Sequence, residues 1–196
     1  MPLWGAAEGS ESLPKFLTTA QQKDVFANQS GWVVEAGSTM TGNGNTSADP
    51  EILVAIGNLA GLSGTTGLGE ATINTVDWNI TTFDKSAGGT LSVTVRYNET
   101  VTVATSNPTI IVTNSTNSNH TLTYSAGTGT HELTFTLAIA AANAATDADD
   151  VLSIAAQSIV LASSSTIKDT STTPQNAELA ISAAQGTACG TVTVVA

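Results

Sequence analysis

The chain has a single cysteine, Cys189, so no disulfide can close within it. Zinc sites built on paired cysteines are excluded on the same count. A lone thiol just before the last strand reads as a small buried side chain. Basic residues are nearly as scarce. Lys15, Lys23, Lys85, Arg96 and Lys168 are all there are, each isolated in sequence, against 16 acidic residues and a net charge of −11. Nucleic acid is bound by clustered Lys and Arg that displace counterions, so no nucleic-acid partner is expected. Anionic lipid is disfavoured for the same reason. No run approaches the roughly 20 apolar residues that span a bilayer. The opening "MPLWGAAEGSESLPKF" has neither the basic start nor the apolar stretch of a secretory signal. No membrane partner is expected. The protein is expected to be made in a cytoplasm, and to stay there or enter something assembled there.

Aromatics are also few, at 5%, and charged residues reach only 11%, against a usual charged share of roughly 25%. Hydrophobic residues at 41% still suffice for a core. The balance is Thr, Ser, Asn, Ala and Gly. Thr is β-branched and suits a strand with one face in water. These features indicate an all-β protein with a neutral, hydroxyl-rich surface.

Residues 1–70 differ from the rest. They hold Trp4, Phe16, Phe26 and Trp32, which are far apart and follow neither helical nor strand spacing. That distribution suits an extended arm docking isolated anchors into pockets of another chain. "GWVVEAG" (31–37) and "EILVAIGNL" (51–59) are strand candidates within it, and "SGTTGLGE" (63–70) reads as a linker. From residue 71 onward apolar side chains alternate. Val76, Trp78 and Ile80 share one face. Leu91, Val93, Val95 and Tyr97 share another, followed by Val101 and Val103. A turn at Asn98-Glu99 would make "GGTLSVTVRYNETVTV" (88–103) a hairpin. Further alternating stretches are "PTIIVTN", "HTLTY", "HELTFTLAI", "NAELAIS" and "GTVTVVA", separated by Gly-, Ser- and Asn-rich turns. Short strands at this spacing indicate a sandwich or barrel. The Ala-rich stretch 138–150 has the composition for one helical turn, ending in the loop-like "TDADD".

Residues 88–180 resemble the immunoglobulin-like repeats of large bacterial surface proteins and of some phage virion proteins. The resemblance rests on "GGTLSVTVRYNETVTVATSNPTIIVTN", "TLTYSAGTGTHELTFTLAIA" and "DVLSIAAQSIVLASSSTIKDTSTTPQNAEL". The opening "PLWG…PKFL…VFANQSGWV" resembles the start of small virion structural proteins of marine cyanophages. Together they imply an immunoglobulin-like β-sandwich over 71–196, carried by an N-terminal arm over 1–70. They imply a non-enzymatic capsid decoration protein, located in the virion and bound to the major capsid protein or another virion protein, and forming a homo-oligomer. The alternatives are a neck, tail or fibre protein, or a surface- or carbohydrate-binding module with Trp78 as the nearest aromatic.

Side chains able to do chemistry are sparse. His120 and His131 lie at strand ends beside turns, and their flanks hold no nucleophile elbow. A structural or solvent-exposed role is expected for both, although a hairpin between their strands could bring them together. Asp147, Asp149 and Asp150 are weak candidates for calcium, since alternate carboxylates in a loop supply oxygen ligands. The EF-hand pattern fails for want of its glycine and its terminal glutamate. A turn role is the better expectation, with Asp149 or Asp150 receiving backbone N–H groups. No metal and no cofactor are expected. Arg96, the only arginine, points to the face opposite Val95 and Tyr97, towards solvent, a neighbouring subunit or Glu99.

Overall fold

The computed structural model describes residues 13–14, 16–60, 67–105, 107–162 and 164–196. Among the described residues strands dominate and the fold is all-β, with one short α-helix and one 3-10 turn at Gln21–Asp24. The first three strands, β1 (Val25–Asn28), β2 (Gly31–Val34) and β3 (Glu51–Ala55), form an antiparallel meander. Eleven more follow, counting only the described residues. They are β4 (Ile73–Trp78), β5 (Thr82–Asp84), β6 (Gly89–Ala104), β7 (Thr109–Asn114), β8 (His120–Ala126) and β9 (Thr130–Ile139). Then come β10 (Val151–Ser153), β11 (Gln157–Ser158), β12 (Thr166–Asp169), β13 (Ala180–Ile181) and β14 (Thr191–Val195).

Twelve of these strands join in one mixed network with the order β3-β2-β1-β6-β9-β8-β7-β10-β14-β5, with β4 and β12 also pairing with β6, while β11 and β13 pair separately. Side chains from β4, β5, β6, β7, β8, β9, β10, β12 and β14 nevertheless meet in a single core. The network therefore bends over on itself, and its far end returns to its middle: a Cβ on Gly89 of β6 would touch Phe83 of β5. The alternation of the sequence sets which side chains enter. Leu91, Val93, Val95 and Tyr97 are fully buried, as are Ile110, Val112, Leu122, Leu133, Phe135 and Val194. Each such side chain contributes roughly 1.5–3 kcal/mol.

Three expectations change. First, β6 runs unbroken through Asn98-Glu99, so the expected hairpin turn is absent. Asn98 instead exchanges hydrogen bonds with Thr72, its N–H reaching the Thr72 carbonyl and its side chain accepting the Thr72 N–H. The β6–β9 register breaks between Arg96 and Val101, leaving a bulge in β6 opposite His131. Second, no helix forms in 138–150, where turns follow β9. The helix is α1 (Ala183–Cys189), started by a capping box in which the Ser182 and Gln185 side chains satisfy each other's backbone N–H. Third, the described part of the N-terminal segment is not an extended arm. It has its own small core of Leu17, Val25, Ala27, Trp32, Val34, Leu59 and Ala60.

Candidate functional site

The bulge in β6 makes a notch, and β1 docks there. Ala27 pairs in parallel with Glu99, and the Phe26 ring stacks on His131 with centroids 4.3 Å apart and planes 12° apart. Because β1 and β2 are antiparallel, with Val25 opposite Val34, Glu35 emerges beside Asp24 at the same edge. Its N–H donates to the Asp24 carbonyl at 2.8 Å. Charged groups from both cores therefore collect at one junction.

Glu35 Oε2 lies 3.6 Å from His131 Nε2. Glu132 Oε1 lies 2.6 Å from Arg96 Nε, and Arg96 Nη1 lies 2.7 Å from Asp77 Oδ2. Lys23 also pairs with Asp77. Ser38 Oγ donates to Asp24 Oδ2 at 2.5 Å. A cleft of about 480 Å³ opens beside this cluster, with Glu35, His131 and Glu132 in its wall. Burial raises the Glu35 carboxyl to about 7, helped by the adjacent Glu132 and Asp24 and opposed by Arg96. Burial likewise holds the His131 imidazole below its usual range, although Glu132 pulls the other way. Near neutral pH Glu35 is therefore part-protonated.

The residues singled out in the sequence fall in different places. Trp4 lies outside the described residues. Trp32 is fully buried in the N-terminal core, and Phe26 is 7% exposed and stacked on His131. Both are spent in packing within this chain, which corrects the expectation that they anchor it to another. Phe16 is 63% exposed. The Arg96 guanidinium pairs within the chain with Asp77 and Glu132. Trp78 is half-buried against the main core, its indole donating to the Gly190 carbonyl at 3.3 Å. The two histidines do not meet, because they lie at opposite ends of the β8–β9 hairpin. His131 is 4% exposed and His120 is 5% exposed, so neither faces solvent.

Asp147, Asp149 and Asp150 do not converge on one point. Asp150 is buried and accepts the Asp147 N–H at 2.8 Å, Asn114 Nδ2 at 2.7 Å, Asn117 Nδ2 at 3.3 Å and the Thr116 hydroxyl. Burial alone would raise its pKa, but these donors outweigh burial and hold the carboxyl well below the usual range. Asp147 turns outward to Lys85, and Asp149 sits at a φ of 67° with its N–H on the Val194 carbonyl. This loop is a closed structural knot. Cys189 is half-buried at the end of α1, and burial pushes its thiol up to about 11, so it carries almost no thiolate at neutral pH.

The Glu35–His131–Glu132 cluster escaped the sequence analysis. Glu35 lies in the N-terminal segment, far along the chain from the "HE" of β9, and only the docking of β1 into the β6 bulge unites them. No protein-family model, curated protein or solved structure matches the chain.

Proposed function

We propose that the chain is a non-enzymatic structural protein of a phage particle. In this reading it is a capsid decoration protein whose immunoglobulin-like body, residues 71–196, is held on the shell by the N-terminal segment. The motif resemblances over 88–180 and at the N-terminus support it, as does the all-β body with its sparse charge. The observation that carries it is where apolar surface remains. Phe16 at 63% and Ile52 at 57% are the most exposed large hydrophobic side chains among the described residues, and both belong to the N-terminal segment. Exposed aromatic and aliphatic side chains on a polar protein are what a partner's pockets take up.

Co-sedimentation of the full chain with purified shells of the particle's major capsid protein tests this. A Phe16→Ala, Ile52→Ser double variant is expected to keep its melting temperature and to bind shells at least about tenfold more weakly, the loss of ~1.4 kcal/mol that two modest anchors supply. Equal sedimentation of variant and native chains overturns attachment by this face. Labelled protein found only on necks or tails of intact particles moves it to that other structural position.

A further inference from the structure

We propose that Glu35, His131 and Glu132 form a binding site for one divalent transition-metal ion of the zinc class, which staples the N-terminal sheet to the body. This stands apart from the particle reading and holds or fails without it.

The donor set is the first argument. One imidazole and two carboxylates suit zinc, which takes nitrogen and oxygen ligands from three residues and leaves a fourth position for water. One ligand atom from each of the three residues lies within 4.8 Å of the other two. His131 Nε2 and Glu35 Oε2 are 3.6 Å apart, close to the ~3.4 Å that separates two ligands on a tetrahedral ion bonded at ~2.0–2.1 Å. Glu132 lies within the same 4.8 Å, and the adjoining cleft admits the water.

The second argument is His131 itself. It is 4% exposed, yet the nearest acceptor for Nε2 is the Lys23 carbonyl at 3.4 Å. That is longer than the roughly 2.7–3.2 Å of a well-formed N–H···O bond. A buried imidazole whose polar contacts, to the Lys23 carbonyl and to Glu35 Oε2 at 3.6 Å, are both long has a ring nitrogen that an ion could take up. Phe26 stacked on the ring fixes its plane, and Arg96 on Oε1 of Glu132 fixes that carboxylate, the orienting contacts that ligands receive from their surroundings.

The third argument is charge. The groups facing the site are Asp24, Glu35, Asp77 and Glu132 against Lys23 and Arg96. Both cations contact Asp77, and Arg96 serves Glu132 as well. Counted as ionised, these groups carry two negative charges in excess, before the buried Glu99 of the β6 bulge is added, and a dication offsets them. The ligands come from both sides of the junction, so the ion would cross-link the two cores.

The test is calorimetric titration of zinc ion into the chelator-treated full chain, in a non-coordinating buffer. One equivalent is expected to bind, with X-ray absorption showing one histidine and otherwise oxygen ligands. Glu35→Gln, at a half-exposed position that tolerates the change, is expected to weaken binding at least tenfold. Cys189→Ser and His120→Gln, which remove the thiol and the other imidazole, are expected to leave affinity unchanged. Absence of saturable binding overturns the proposal. So does zinc affinity that survives Glu35→Gln, or that falls with Cys189→Ser or His120→Gln.

Discussion

Nε of Arg96 lies 2.6 Å from Oε1 of Glu132, directly across the register in which β6 and β9 pair the same two residues. The other end of the guanidinium reaches Asp77 of β4 on the far side of β6. One side chain therefore ties three adjacent strands just where β6 begins to bulge and β1 docks.

Removing that tie leaves Glu132 without its cation and Asp77 with Lys23 alone. Arg96 and Asp77 are each less than a fifth exposed and Glu132 about a third. The cost of Arg96→Met falls between the roughly 0–1 kcal/mol of an exposed pair and the roughly 3–5 kcal/mol of a fully buried one, at about 2 kcal/mol. Urea unfolding at pH 7 measures it. A partner-facing arginine would instead leave the stability of the isolated chain unchanged.

Glu35 sets a pH dependence of the opposite sign from an ordinary salt-bridged carboxylate. Its folded pKa is raised from 4.5 to about 7, so the folded chain holds a proton that the unfolded chain has already released between those values. Stability from this group is present below pH 4.5 and is lost as pH rises through about 7. Glu35→Gln mimics the protonated form. With chelator present, its melting temperature is expected to exceed that of the native chain at pH 8, and the gap is expected to close at pH 5. A gap that is constant with pH refutes the assignment.

Much of the body was legible because period-two alternation reports burial directly. Leu91, Val93, Val95 and Tyr97 were expected inside and are there, fully buried. What escaped was long-range or depended on one side chain. Asn98-Glu99 has turn composition, yet Asn98 spends its side chain and its N–H on Thr72, and the strand continues as a bulge. The Ser182…Gln185 capping box was a readable helix start, hidden by the apolar alternation of the preceding "ELAIS". The junction site was illegible in principle, since no local pattern states that β1 pairs with β6 at Ala27 and Glu99.

Asp150 is expected to behave as a conventional buried acceptor. Asp150→Ala leaves the Asn114 amide, the Asp147 N–H and the Thr116 hydroxyl without their acceptor, at a cost of about 3 kcal/mol. Its folded pKa is depressed. The stability it confers is therefore present above the ordinary aspartate value of about 3.9 and is lost as pH falls below it. Denaturant unfolding at pH 7 and pH 3 is expected to show the native chain losing stability on acidification, and the variant losing less.

Trp32 and Phe16 separate packing from attachment. Trp32 is fully enclosed by the N-terminal core, although its indole N–H has no hydrogen-bond partner there. Trp32→Ala is expected to cost about 3–5 kcal/mol, as large-to-small changes in closed cores do, and Trp32→Phe far less, because it keeps most of the volume and removes an unsatisfied donor. Phe16→Ala, at a side chain 63% exposed, is expected to change stability by less than about 0.5 kcal/mol. Thermal melts of the three variants check the ranking. If Trp32→Ala melts with the native chain while Phe16→Ala collapses, the N-terminal core is not the unit that the packing describes.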